Sequence, residues 1–286
     1  MLRLADSNGN LTTTQQDVSP SVYLDHWAFM NIAGDDQKVQ KLVTILNQKN
    51  GTLYISFMHL LELSTVKDLR HARNIETLLE SISPRIFFID AIPKNVIGRE
   101  NQLINGRGPV VAPHGDFKLL KYFITLNRKT LDPLSPEGLF SNLNGPRLKK
   151  MCNEFLQSFT NDIDALRQKR KIDQKYNARV RNVPGGVPQQ HATRYIWQDL
   201  VNSLIRDEMR IENSNHYRDL FHTVVPISYG DFCLLDKTWA AKANETITRL
   251  RNAGHGSQMA EIFSPKTLDK FWTKLESYET SDTRRE

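Results

Sequence analysis

The chain has little cysteine: two residues in 286, Cys152 and Cys233. They lie far apart, and neither has partners at metal-ligand spacing. That argues against a zinc centre or a disulfide framework and fits a reducing cytoplasm. Long apolar runs are missing too, since no stretch approaches the ~18 uninterrupted apolar residues of a membrane span. Residues 1–20 are polar and lack the apolar core of a secretory signal, so they are expected to form a short flexible lead-in. Phosphate-cradling glycine loops are also wanting. Gly106-Arg107-Gly108-Pro109 and Gly185-Gly186 have no strand leading straight in and no Lys-Ser/Thr following. The sequence contains neither internal repeats nor low-complexity tracts.

A hydrophobic fraction of 39% remains, well above the disordered range, and it predicts a packed core. The length fits one large domain, or a core domain carrying a sizeable insertion. The net charge of +6 is weak evidence for nucleic acid by itself. Its placement says more. Between Arg147 and Arg181 ten basic residues face four acidic ones, a surplus equal to that of the whole chain.

Short apolar runs separated by helical spacing organise the two ends. Val22-Tyr23-Leu24, Thr52 to Ser56 and Arg85 to Asp90 read as strands. Asp36 to Gln48, Phe57 to about Val66 and Asp68 to Ser81 read as helices. Strand and helix in alternation predict a parallel sheet with crossover helices, whose ligand sites lie at the carboxyl ends of the strands. The middle reads differently. Asn101 to Pro113 is loop-like, Phe117 to Asn127 helical, Leu148 to Tyr176 one long basic helix, and Ala192 to about Ile211 another helix. The α/β pattern then resumes, with a helix from His216 to Val225, a strand from Phe232 to Leu235 and a helix from Thr238 to Asn252. A short strand from Ala260 to Phe263 and a helix from Pro265 to Glu276 close the chain.

Four carboxylates stand out by position. Asp25 and Asp236 end predicted strands. Glu62 lies in the second turn of the helix after Ser56, and Asp219 in the helix before the strand that ends at Asp236. Parallel neighbouring strands would bring all four to one crevice. An acid at a strand end is often just a helix cap. Four crowded acids repel in a partly desolvated cleft, and a divalent cation relieves this. Hard oxygen donors without histidine or cysteine neighbours favour Mg²⁺ or Mn²⁺, which activate water for phosphodiester hydrolysis.

The chain resembles the PIN-domain nucleases in three pieces: Val22-Tyr23-Leu24-Asp25; Leu53-Tyr54-Ile55-Ser56 with the helix bearing Glu62; and Arg218-Asp219 with Phe232-Cys233-Leu234-Leu235-Asp236. Together these span roughly residues 22–100 and 216–265. The resemblance implies an α/β class, three-layer α/β/α fold with a central mainly parallel sheet. That domain is expected over 21–100 and 216–286, interrupted by a mostly helical basic subdomain over 101–215. It implies metal-binding catalytic roles for Asp25, Glu62, Asp219 and Asp236, with Asp231 as a further acid at the metal. It also implies Mg²⁺ or Mn²⁺ as cofactor and a nucleic-acid partner, RNA ahead of DNA. The implied activity is an endoribonuclease in a toxin or phage-defence setting. A DNA-directed nuclease and a catalytically weak RNA- or protein-binding module are the alternatives, and a homo-oligomer or an inhibitor protein stays open. The family usually has a hydroxyl residue where His26 and Leu234 stand here.

Other residues are candidates for contact with the strand. Lys169, Arg170, Lys171, Lys175, Arg179 and Arg181 are expected to form an electrostatic track for phosphates, although such a run is also ordinary solvated helix surface. His222, three residues after Asp219, shares its helix face and is assigned to the substrate beside a packing role. Trp27, Trp197, Trp239 and Trp272 are expected in the core.

Overall fold

Five short runs of β-branched and aromatic residues pair into one sheet in the computed structural model: β3 (Ser21–Leu24), β4 (Thr52–Ser56), β5 (Ile86–Ile89), β6 (Phe232–Leu234) and β7 (Glu261–Phe263). The structure describes residues 2–7, 10–63, 68–107, 112–121, 146–183, 192–207, 214–256 and 258–279. All pairings in this sheet are parallel, in the order β5-β4-β3-β6-β7. The chain grows outward from β3 on one side, then returns to lay β6 on the other. The boundary between β3 and β6 is therefore a topological switch point, where open parallel sheets leave a crevice beyond the strand ends.

Parallel strands are buried on both faces, which is why β3, β4 and β5 are apolar without alternation. One face carries Val22, Leu24, Leu53, Ile55 and Phe88. It packs on helices α1 (His26–Ala33), α2 (Asp36–Gln48) and α4 (Leu69–Ile82), and on the C-terminal helix Leu268–Glu276. The other face carries Tyr23, Tyr54, Phe87, Cys233 and Leu235. It packs on α3 (Phe57–Leu63), α5 (Pro93–Ile104), α6 (Pro146–Ile172), α8 (Ala192–Arg206), α9 (Ser214–Tyr229) and α10 (Lys237–Asn252). Helices thus flank the sheet on both sides. Leu156, Ile163, Ile196, Leu200 and Leu204, all from the 101–215 segment, belong to the same buried cluster as the strand residues of this face.

Several elements differ from the sequence reading. Asp25 accepts the Ala28 amide and starts α1, where no helix was expected. Helix α5 runs to Ile104, into the stretch that reads as loop from Asn101. The single helix expected from Leu148 to Tyr176 is two, because Asp173 caps α7 (Gln174–Arg181) by accepting the Tyr176 amide at 2.9 Å. The expected helix 117–127 is described only at its start, and the ends of those expected to reach 66 and 211 fall outside the described residues.

The polar lead-in carries an antiparallel hairpin, β1 (Leu2–Ser7) with β2 (Asn10–Gln15). It is tied to the sheet from Gln15 onward. The Gln15 amide bonds both backbone groups of Phe88 (3.0 and 3.2 Å), and Tyr54 donates to Asp17 (2.7 Å). Among the described residues no helix is long and apolar enough to cross a membrane.

Candidate active site

The carboxyl ends of β3 and β6 are joined through one side chain. Asp25 accepts the Ala28 amide on Oδ1 (3.2 Å), capping α1, and the Asp236 amide on Oδ2 (2.6 Å). Asp236 caps α10 by accepting the amides of Thr238 (2.6 Å) and Trp239 (3.1 Å) on Oδ1. Both residues are therefore caps and crevice residues at once, because both also line the cavity at these strand ends.

Glu62 and Asp219 arrive from the helical layer. Helix α3 starts directly from β4, which carries Glu62 over the end of β3. Glu62 meets three basic side chains: His222 Nε2 at 3.2 Å, His26 Nδ1 at 3.7 Å and Arg218 Nη1 at 3.9 Å. Asp219 lies one turn before His222 on α9. Asp25, His26, Trp27, Glu62, Arg218, Asp219, His222 and Asp236 all line one cavity of about 330 Å³. The four acids expected to act together are thus gathered in one place.

Their electrostatics are unequal. Burial pushes Asp25 up to about 8, against the opposing pull of the Ala28 amide and His222. Burial likewise pushes Asp219 up to about 7. Glu62 feels the same desolvation, but the charges of His222 and His26 hold it down at about 2. Burial alone would lower His222, and the Glu62 carboxylate reverses this and raises it. So one acid is neutralised by a histidine, while at the other two burial outweighs the nearby positive charge.

Two buried residues behind the cavity were not legible as site residues. Tyr23 Oη meets His222 Nδ1, which fixes the imidazole that faces Glu62. His59 accepts the Ser56 amide on Nδ1 (3.0 Å) and donates from Nε2 to the Leu24 carbonyl (2.5 Å), clamping the start of α3 to β3. Burial lowers His59 to about 3, so it acts as a neutral clamp. The only sequence signal for either was a polar atom on an otherwise apolar run.

Two of the expected residues, Asp231 and Arg170, are placed elsewhere or used otherwise. Asp231 is not at this site. It accepts the amide and hydroxyl of Ser21 (2.8 and 3.0 Å) at the amino end of the strands, roughly 16 Å of strand from Asp236. His222 is 2% exposed, lines the cavity and is engaged by Tyr23 and Glu62. Arg170 is spent on structure, donating to the carbonyls of Ile205 and Arg206 (both 3.1 Å) at the end of α8 and to Asn177 (3.1 Å). The other basic residues, Lys169, Lys171, Lys175, Arg179 and Arg181, are exposed around α7, with Lys169 and Arg179 against the Tyr176 ring. That corner connects to the cavity through contacts: Arg167 donates to the Asp207 carbonyl (3.2 Å), and Asp207 pairs with Lys242 (3.7 Å) of α10, the helix that Asp236 starts.

The hydroxyls missing at His26 and Leu234 have different consequences. Leu234 faces the opposite side of the sheet and is fully buried, whereas the side chain of His26 is 44% exposed beside Glu62. Trp239 and Trp272 are core residues, and Trp27 and Trp197 pack against the two clusters.

The donor chemistry fits a hard divalent cation. It offers four carboxylates, two of them with raised affinity for protons because burial outweighs the charges and amides that face them. Among the described residues, no three acidic, histidine or cysteine side chains already converge on a single metal point. Asp25, Glu62, Asp219 and Asp236 surround the cavity instead. No family model, curated protein or solved structure matches this chain.

Proposed function

We infer that the chain is a PIN-like, metal-dependent nuclease that hydrolyses phosphodiester bonds, with RNA ahead of DNA as its strand. One observation carries this reading. Four carboxylates from four separate elements line one cavity at the switch point of a parallel sheet. Burial leaves Asp25 and Asp219 short of a positive partner, a state that a bound cation relieves and that stability alone does not favour.

A divalent ion such as Mg²⁺ or Mn²⁺, held by Asp25, Glu62, Asp219 and Asp236, would supply water activation and charge stabilisation at the phosphate. The chain's own residues do the rest. Asp25 and Asp236 hold their geometry through the helices they cap. Tyr23, His222 and His59 fix Glu62 and the helix that carries it, as supporting residues do around metal ligands. The exposed lysines and arginines where α6 meets α7 attract the strand to the neighbouring surface. A toxin or phage-defence setting belongs to the same reading.

The second reading is a binding module with little turnover. It is favoured by the ion pairs that already occupy Glu62. Incubating purified protein with mixed single-stranded RNA and DNA in Mn²⁺ separates the two. Cutting that chelator, Asp25→Asn and Asp236→Asn each abolish supports the nuclease, and the preferred strand names its substrate. Equal RNA binding by all three proteins without cutting leaves the module.

A further inference from the structure

Three arginines among the described residues hold the fold together. Arg99 donates to Asp90 (2.8 Å) and to the Pro113 carbonyl (2.6 Å), and Arg167 and Arg170 each bind two backbone carbonyls. These are structural arginines, with their donors spent at short range. Arg218 differs. Its nearest acid, Glu62, is 3.9 Å from Nη1, beyond hydrogen-bonding distance, and among the described residues its buried Nε has no hydrogen-bond partner. The side chain is about one-fifth exposed and lines the acidic cavity, next in sequence to Asp219.

We propose that Arg218 is the phosphate-binding residue of this site, its guanidinium contacting a non-bridging oxygen of the phosphodiester brought to the carboxylates. The inference rests on the nuclease reading for its substrate class. The physical argument has three parts. A planar guanidinium matches two phosphate oxygens at once, which a long contact to a single carboxylate oxygen does not use. Glu62 already has His222 at 3.2 Å, so Arg218 is not needed to neutralise it. An anionic strand entering a cavity lined by Asp25, Glu62, Asp219 and Asp236 meets repulsion, and Arg218 supplies a fixed positive group on that wall to offset it.

The test uses the full chain with Arg218→Gln and Arg218→Lys, each placed in an Asp219→Asn background so that the strand stays uncut. The readout is affinity for a short labelled single-stranded RNA in Mn²⁺ across a salt series. Loss of one phosphate contact should weaken binding about tenfold and flatten the slope of log affinity against log salt by about 0.7. Arg218→Lys should recover the slope but only part of the affinity, because it keeps the charge and loses the fork. In an otherwise unaltered chain, Arg218→Gln should bind Mn²⁺ at least as tightly as the parent, since it removes a cation from the cavity.

An unchanged slope overturns the proposal. So does weakened Mn²⁺ binding with strand affinity intact, which would make Arg218 a positioning partner of Glu62. If the unaltered chain cuts no strand yet Arg218→Gln still flattens the slope, the nuclease reading fails while the phosphate contact stands.

Discussion

Asp25 and Asp231 illustrate how one residue type does opposite work at the two ends of a strand pair. Asp231 pins the amino ends by accepting two bonds from Ser21, and it is 7% exposed. Replacing it with alanine should cost about 1–3 kcal/mol, the penalty for leaving a buried donor unsatisfied. Strand cutting by the protein that stays folded should be unchanged. Chemical denaturation beside a cleavage assay checks this, and a large loss of cutting at full foldedness would return Asp231 to the site.

The raised carboxylates carry a pH prediction. A group that binds its proton more tightly in the folded chain makes stability fall as pH rises. Asp25 at about 8 and Asp219 at about 7 do so between the ordinary carboxylate range and about pH 8, and the raised His222 acts in the same direction. The lowered His59 opposes them only while unfolded histidine still titrates, below about pH 6.5. In chelator, the melting temperature should therefore drop between pH 6.5 and 8, by ~2–4 °C for each kcal/mol lost. Mn²⁺ should remove that drop, because the cation takes the place of the protons. A melting temperature that is flat or rising in chelator would show that these carboxylates are not strained by burial.

At the scale of elements, the basic helices divide their residues between holding the fold and facing solvent. Arg170 terminates α8, whereas Lys171, next to it, is exposed. Arg170→Ala should cost about 1.5–3 kcal/mol of stability, as for lost hydrogen bonds to a charged group. Lys171→Ala should leave stability within about 0.5 kcal/mol. If the basic corner where α6 meets α7 guides the strand, Lys171→Ala should also flatten the salt dependence of RNA binding by about 0.7. Thermal melts and a salt titration of both variants decide it. The opposite assignment, with Lys171 stabilising and Arg170 neutral, would contradict the packing of α6 on α8.

That division marks where sequence reading ran out. Five strands were legible because each is a short apolar run between breakers, and the acids at their carboxyl ends followed from the parallel order. Helix α1 was not, since His26-Trp27-Ala28-Phe29-Met30-Asn31-Ile32-Ala33 is apolar nearly all round and shows no face. Asp173 split the basic helix through a cap, not through a glycine or proline. Asp231 was misplaced because closeness in sequence to β6 does not tell which end of the strand faces the crevice. Arg170 and Lys171 could not be told apart without knowing which side of α6 meets α8.

At the scale of the whole molecule, the sheet order sets the site and the charge distribution sets its approach. The carboxylates meet because the chain reverses direction of growth between β3 and β6. The helices of the 101–215 segment pack in the same core as the sheet, so the basic corner is held in fixed relation to the cavity by contacts through Asp207 and Lys242. Arg218 lies in the acidic cavity itself, apart from that basic corner.

The most direct test of this account is strand cleavage in Mn²⁺ by the unaltered chain and by Asp219→Asn, each with its melting temperature in chelator. Among the described residues the Asp219 side chain caps no helix, and burial raises its proton affinity, so asparagine removes a charge without breaking a structural bond. The account predicts that Asp219→Asn melts at or above the parent at pH 8 and loses cutting by at least about 100-fold, beyond what the loss of a supporting residue costs. Cutting that persists in Asp219→Asn at the parent's rate would contradict it.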